Sequence, residues 1–218
     1  MNLEKYFTKK ELLDQALTHK SWVNENKGVR KSNERLEFLG DAVLEFVISN
    51  ELFKKFPNKD EGYLTALRAN LVNKASLSEI AHDLNLGTRI FLSKGEEATG
   101  GRTNKSLLED TLEAIIGAIY LDSGLEIAHT FILDTIFSTL ADKLREPLKD
   151  AKSRLQELVQ SDKLPTPFYK VVSEEGPDHG KKFLVEVHVD NKKIGSGSGN
   201  SKNSAEQAAA TNALEKRL

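Results

Sequence analysis

A chain of 218 residues is long enough to bury a core of adequate size and to form two domains of ordinary length. It contains no cysteine, which excludes disulfides and thiolate metal sites and favours a reducing, cytoplasmic location. The formal net charge of −2 provides no globally basic surface, so binding of a nucleic acid would have to rest on local patches. The longest apolar run, at residues 114–121, is far shorter than the roughly 20 residues that span a bilayer, and we expect no membrane association.

The first part of the chain, to about Arg145, has apolar residues at helical spacing and is predicted to be helical throughout. One predicted helix contains the sequence NERLEFLGDAVLE, at residues 33–45. At about 100° per residue, Glu34, Glu37 and Asp41 fall within a roughly 60° arc of this helix, among apolar residues. The three carboxylates therefore point the same way, which is unfavourable unless a positive group binds there.

The stretch SKGEEATGGRTNKS, at residues 93–106, breaks the helical pattern and is predicted to be a loop. Its Arg102 and Lys105 could reach a phosphate group, or could belong to an ordinary solvated loop. The segment LLEDTLEAIIGAIYL follows at residues 107–121 and places Asp110 and Glu113 one turn apart in an apolar helix. Gly117 lies on the same face, where the missing side chain would let another helix or a ligand approach the backbone closely, and this suits two helices that meet.

If these two helices meet, four carboxylates could share one pocket: those of Glu37, Asp41, Asp110 and Glu113. Such a cluster would need a hard divalent cation to offset its charge. An all-oxygen set without histidine or cysteine favours Mg²⁺ or Mn²⁺ over zinc. Acids spaced three or four residues apart can also line a solvated helix face, and this alternative stays open.

The periodicity changes beyond Pro147, which indicates a linker followed by a second kind of fold. The predicted elements are a helix at residues 153–160, strands at 168–173, 182–190 and 194–198, and a helix at 205–218 that is capped near Ser204.

The strings NERLEFLGDAVL and LLEDTLEAIIGAIYLDSG resemble the two signature helices of the ribonuclease III family, as do ALTHKSW at residues 16–22 and DEGYLTALRANLV at 60–72. The segments SRLQELVQ, GPDHGKKF and GSGSGNSKNSAEQAAA resemble a double-stranded-RNA-binding domain. The resemblance implies a mainly α fold: an all-α endonuclease domain at residues 1–146, a linker at 147–152 and a small α-β-β-β-α RNA-binding domain at 153–218.

The resemblance also implies an activity. The expected reaction is Mg²⁺-dependent hydrolysis of double-stranded RNA, with Mn²⁺ able to substitute, during maturation of ribosomal and messenger RNA. The expected ends are a 5′-phosphate and a 3′-hydroxyl with short 3′ overhangs. The four clustered acids would hold the metal, Asp41 and Glu113 would be catalytic, and Glu34 and Glu61 would be secondary acids.

The RNA-binding residues implied by the resemblance lie in three places of the second domain. The first helix would meet one minor groove through Ser153, Gln156, Glu157 and Gln160. Pro177 and His179 would meet the next groove, and Lys202 would bind a phosphate. The family usually has a second basic residue after this lysine, where this chain has Asn203, so we expect looser and less salt-sensitive binding.

By the same resemblance the helical domain forms a homodimer, with Phe38 inserted into a pocket of the partner. Two alternatives belong to other functional classes. A catalytically silent dimeric double-stranded-RNA-binding protein would be favoured if one of the acids were missing, and none is. A helical di-metal oxidoreductase would need a Glu-x-x-His pair, which neither signature helix contains.

Overall fold

The computed structural model describes residues 2–145, 147–148, 150–177 and 180–216 of the chain. The chain divides into two compact units, Met1–Leu148 and Lys149–Leu218, and each has its own hydrophobic core. The first unit is built from helices, and the second from a three-stranded sheet with two helices. The predicted fold class is therefore confirmed.

The helical unit is formed around two long helices, α3 and α7. Its α-helices are α1 (Lys10–Ala16), α2 (Lys20–Glu25), α3 (Glu34–Lys55), α4 (Glu61–Val72), α5 (Lys74–Asp83), α6 (Lys94–Ala98), α7 (Lys105–Thr135) and α8 (Leu140–Lys143). Side chains fix where several of them begin, because Asp60, Asn73 and Asn104 each accept a hydrogen bond from a backbone N–H in the first turn of α4, α5 and α7.

Helix α7 has the length and composition of a membrane span. Together with the turn and helix that follow, it forms the stretch Lys105–Lys143, which is apolar over a longer distance than the sequence led us to expect. Gly124 interrupts the helix with φ 83°, and 44% of its most apolar window is buried inside the protein. An interior helix of a folded domain has the same properties, and burial of side chains such as Ile115 and Ile116 accounts for them here.

The prediction of a loop at residues 93–106 was wrong. Ser93 accepts a hydrogen bond from the Glu96 N–H and starts α6, and a 3₁₀ turn follows at Gly101–Thr103. Arg102 holds this segment in place, since its guanidinium group pairs with Glu97 at 2.7 Å and donates to the Gly87 carbonyl at 2.9 Å. Arg102 is thus engaged within the protein, whereas Lys105 is exposed at the start of α7.

The second unit has the element order that the sequence predicts, and its first helix, first strand and third strand are longer than predicted. Its elements are α9 (Ala151–Ser161), β1 (Phe168–Glu175), β2 (Lys182–Val189), β3 (Lys192–Gly199) and α10 (Lys202–Glu215), and the strands pair antiparallel in the order β1-β2-β3. Helix α9 starts within the stretch that the sequence assigns to the linker, because Asp150 caps it. Helix α10 is capped by Ser201 rather than near Ser204, and the two serines form a reciprocal capping box.

Candidate active site

Helices α3 and α7 touch backbone to backbone at two glycines. A Cβ atom at Gly40 would overlap the Glu113 carbonyl oxygen and lie 2.9 Å from the Gly117 nitrogen. A Cβ atom at Gly117 would overlap the Leu36 carbonyl oxygen in turn. The close approach predicted at Gly117 is present, and its partner Gly40 is a contact that the sequence did not predict.

The crossing brings the predicted acids of the two helices into one electrostatic neighbourhood. Burial, followed by the charges of Asp41 and Glu109, raises the pKa of Glu113 to about 8, and the charges of Glu37 and Asp110 act on it as well. Burial is also the main reason why the pKa of Glu37 and that of Asp110 are raised. The acids of the two helices therefore act on one another electrostatically, and basic residues outside these helices, Lys20 and Lys74 among them, oppose part of the effect.

The acidic side chains lie near one another, but they are not arranged around a common position for a metal ion. Within the residues that the structure describes, no three His, Asp or Glu side chains are arranged to hold a metal ion. Like charges repel one another, so ligation requires these side chains to turn toward a common point. The donors nevertheless fit a hard divalent cation, because they are all carboxylate oxygens, and burial together with the mutual effect of the acids raises the pKa of Glu37 and of Glu113.

Glu109 and Lys74 belong to the same neighbourhood, and the sequence analysis missed both. Lys74, at the start of α5, lies 3.5 Å from Glu109 and lowers the pKa of Asp110 by its charge. Glu109 precedes Asp110 and is four residues before Glu113, a spacing that could have indicated its place on the acidic face. Nothing in the sequence indicated Lys74, since it comes from a third helix.

The two secondary acids lie at the starts of helices and are exposed. Glu34 pairs with Lys20 at 3.3 Å and accepts a hydrogen bond from the Ser32 hydroxyl group, which lowers its pKa. Glu61 accepts a hydrogen bond from the Thr65 hydroxyl group at 3.0 Å. Neither acid contributes to the raised pKa of Glu113 among the causes identified for that residue.

A stripe of exposed phenylalanines runs along α3 beside the acids. Phe38 is 81% exposed, Phe46 58% and Phe53 72%, and at about 100° per residue the three fall within a roughly 80° arc of the helix. Large exposed apolar groups in a row are typical of a surface that binds another protein. The structure therefore leaves Phe38 available for the contact that the sequence predicts.

The predicted RNA-binding residues of the second unit are largely on its surface. Gln156, Glu157 and Gln160 are exposed on α9, and Pro177 is exposed in the loop after β1. Ser153 is half-buried, and its hydroxyl group donates to Asp150 at 3.0 Å. His179 lies outside the described residues.

Two of the predicted RNA-contacting elements share a polar recess of about 390 Å³ in the second unit. Ser153 and Gln156 of α9 line it together with Asn203 of α10. Lys202, next to Asn203, forms an ion pair with Glu174 of β1 at 3.2 Å. The lysine predicted to bind a phosphate is thus paired with a carboxylate of its own chain.

Comparisons with known proteins identify two families of domain. A model described as Ribonuclease-III-like matches residues 9–140, and one described as a double-stranded RNA binding motif matches residues 151–217. Ribonuclease 3 of Geobacillus sp. (strain WCH70) is 48% identical over 97% of this chain and 86% of its own length. Ribonuclease 3 of Natranaerobius thermophilus is 49% identical over 94% of this chain and 90% of its own length.

Among solved structures, the nuclease domain of ribonuclease III from Campylobacter jejuni is similar to the helical unit. It is 50% identical and has a TM-score of 0.58, and the match covers 62% of this chain and 94% of that one. That structure concerns structural flexibility in a region involved in dimer formation.

The buried acid should make stability depend on pH. Because the pKa of Glu113 is raised above that of an unfolded glutamate, its contribution to stability is lost as the pH rises through about 8. We expect the Tm of chelator-treated protein to fall between about pH 5 and about pH 9, and Glu113→Gln to reduce the fall in unfolding free energy by at least ~1 kcal/mol. Glu126→Gln, at an exposed position of the same helix, is the control. Equal pH profiles for wild type and Glu113→Gln would show that the acid is not perturbed.

Proposed function

Because the chain belongs to the ribonuclease III family, we propose that it is an endonuclease that hydrolyses phosphodiester bonds of double-stranded RNA. The observation that carries this proposal is the helix crossing at Gly40 and Gly117, which brings Asp41 of α3 and Glu113 of α7 into one acidic neighbourhood. The match to a double-stranded RNA binding motif over residues 151–217 supports the choice of substrate.

The proposed cofactor is Mg²⁺, for which Mn²⁺ is expected to substitute. The residues that would hold it are Glu37, Asp41, Asp110 and Glu113. Carboxylate oxygens suit these hard cations, whereas zinc prefers the nitrogen and sulfur ligands that this neighbourhood does not offer among its proposed ligands. When bound, the cation lowers the pKa of a water ligand and offsets negative charge on the phosphate.

The protein's own part in the reaction is to present these carboxylates to the RNA backbone. Asp41 is exposed, so a phosphate can approach it, whereas Glu113 is half-buried and keeps a proton up to about pH 8. Glu113 must lose that proton before its carboxylate can serve as a ligand. The nucleophile in this proposal is water, which leaves a 3′-hydroxyl and a 5′-phosphate, and no side chain becomes covalently attached to RNA.

The RNA duplex would be held by the second unit. Gln156, Glu157 and Gln160 present hydrogen-bonding groups on one exposed side of α9, which suits ribose hydroxyls in a minor groove. Ser153 can join them if it releases Asp150, and Pro177 of the β1–β2 loop would meet the next groove. Lys202 at the start of α10 would bind a phosphate, assisted by the helix dipole.

We further propose that the helical unit forms a homodimer through the surface that contains Phe38. The exposed stripe of Phe38, Phe46 and Phe53 supports this, because burial of such side chains in an interface is favourable by roughly 1.5–3 kcal/mol each. A dimer would present two acidic sites to one duplex, each cutting one strand, and so would leave short 3′ overhangs. Family membership supports a role in maturation of ribosomal and messenger RNA, and the absence of cysteine supports a cytoplasmic location.

We expect Glu113→Ala to separate RNA cleavage from RNA binding. Mutation of a residue that only supports a metal ligand typically costs about 10- to 100-fold in metal affinity or activity. Loss of a ligand itself should therefore slow Mg²⁺-dependent cleavage of a long end-labelled duplex more than ~100-fold. Duplex affinity, measured on the full chain in chelator, should stay unchanged, and Glu126→Ala is the control. Wild-type cleavage by Glu113→Ala would refute the assignment. A wild-type protein that binds duplex without cutting it in Mg²⁺ or Mn²⁺ would favour the catalytically silent RNA-binding alternative.

Phe38→Ala should weaken the dimer. Sedimentation velocity over a dilution series should show dissociation at a higher protein concentration than in wild type, because a large apolar contact is lost. Val29→Ala is a matched control, since Val29 is 65% exposed and apolar but lies outside α3. A dimer that withstands dilution equally well in Phe38→Ala would remove Phe38 from the interface.

Glu174→Gln should strengthen RNA binding. The substitution frees Lys202 from its ion pair and removes a negative charge that repels phosphate, so we expect duplex affinity to rise about threefold to tenfold. Glu175→Gln removes the same charge on the other side of β1 and is the matched control. A gain that is equal in both variants would show that only net charge matters, and that the pair with Lys202 does not compete with RNA.

A further inference from the structure

An ion pair at the edge of the acidic neighbourhood has no part in the proposed chemistry. Lys74 Nζ lies 3.5 Å from Glu109 Oε2 and donates a hydrogen bond to Ser106 Oγ at 3.1 Å. Lys74 is the first residue of α5, whereas Ser106 and Glu109 lie in the first turns of α7. A cation on a third helix is therefore fixed to the part of α7 that leads into Asp110 and Glu113.

Glu109 is a fifth carboxylate beside the four proposed ligands. Its side chain is only 16% exposed, and its charge acts on Glu113 more strongly than that of any other residue except Asp41. Asp41 and Asp110 in turn act on Glu109. An unpaired Glu109 would therefore add one negative charge to the cluster and could compete with the four ligands for a cation.

Lys74 has the position needed to prevent this. Burial raises the pKa of Glu109 and that of Asp110, and the charge of Lys74 is the largest influence that opposes this rise in both. The lysine is 57% exposed, so its ammonium group remains hydrated while it holds two groups of α7. The second contact, a hydrogen bond to Ser106, fixes the direction of the lysine side chain.

We propose that Lys74 is a positioning residue. Its ion pair holds the Glu109 carboxylate away from the four proposed ligands and thereby sets the net charge around the bound metal. This inference rests on the proposed metal-dependent nuclease function. It assigns one role to Lys74 and Glu109 as a pair, in which Lys74 affects the metal only because Glu109 is present, and Glu109 affects it only when Lys74 is absent. A pair with that role can be recognised by a double-mutant cycle.

The cycle uses the full-length chain without RNA, and Mn²⁺ is the probe. Free Mn²⁺ is counted by electron paramagnetic resonance during a titration at one fixed pH above the pKa of Glu113. Lys74→Met removes a positive charge, so we expect Mn²⁺ to bind about threefold to tenfold more tightly. With Lys74 present, Glu109→Gln should change Mn²⁺ binding by less than about twofold, because the paired carboxylate lies outside the ligand set, whereas in the Lys74→Met background it should weaken binding about threefold to tenfold. The double variant should return to within about twofold of wild type, and Lys74→Arg, which keeps the charge, should resemble wild type.

The outcomes separate this inference from the proposed function. Tighter Mn²⁺ binding in Lys74→Met that disappears when Lys74→Met is made in the Glu109→Gln background supports the positioning role, whereas equal tightening in both backgrounds shows two independent charges and overturns it. If wild type binds Mn²⁺ and Lys74→Met binds it equally or more weakly, the proposed positioning role of Lys74 is wrong, but the proposed metal site is still supported. If wild type binds no Mn²⁺, or if Glu113→Ala leaves Mn²⁺ binding unchanged, the metal site itself is overturned, and the role of Lys74 with it. A purely structural lysine would lower the thermal unfolding midpoint in Lys74→Met without tightening Mn²⁺ binding, and this result also overturns the role.

Discussion

The contact between the backbones of α3 and α7 is the constraint on which the helical unit depends. Neither Gly40 nor Gly117 has room for a Cβ atom, because a carbonyl oxygen of the opposite helix occupies that position. The contact brings carboxylates together that repel one another, and the surrounding core must offset this repulsion. Side chains such as Leu44, Ile48 and Ile115 are fully buried, and each contributes roughly 1.5–3 kcal/mol. The acidic neighbourhood is therefore maintained by apolar packing around it.

The sequence was most informative where a local pattern carries the signal. The spacing of Glu37 and Asp41, and of Asp110 and Glu113, follows from helix geometry, and the strands of the second unit follow from alternation. Gly117 could be interpreted because glycine is unfavourable inside a helix, so its presence there indicates a close contact. The same argument applies to Gly40. Which two glycines meet, however, depends on how two helices far apart in the sequence pack together, and no local sequence pattern specifies that packing.

The features that sequence reasoning missed have tertiary causes. The segment at residues 93–106 contains three glycines and many polar residues, and it is ordered by hydrogen bonds from Arg102 to backbone groups outside the segment. Lys74 joins the acids only because α5 packs beside the start of α7. The start of α10 was misplaced by a few residues because Ser201 and Ser204 are both plausible caps, and the reciprocal bond between them decides which one serves.

Several polar side chains of the predicted sites are held by partners in their own chain. Lys202 pairs with Glu174, Glu34 pairs with Lys20, and Ser153 bonds to Asp150. A ligand that binds at these places replaces an existing partner. The net free energy of binding is therefore only the difference between the new interaction and the interaction that is lost. An exposed pair is worth about 0–1 kcal/mol, so such exchanges are readily driven by a polyanion and readily reversed by salt.

The two units have hydrophobic cores with no residue in common. Damage at the glycine crossing therefore leaves intact every core contact of the unit that carries α9 and α10. A chain altered at Gly40 would, on the proposed function, still occupy duplex RNA while failing to cut it. In a cell that carries one altered and one normal copy of the gene, the altered chain would compete for substrate, and its effect would be dominant. In genetic terms, the separate cores would make a lesion at the crossing more harmful in that cell than loss of the same gene copy.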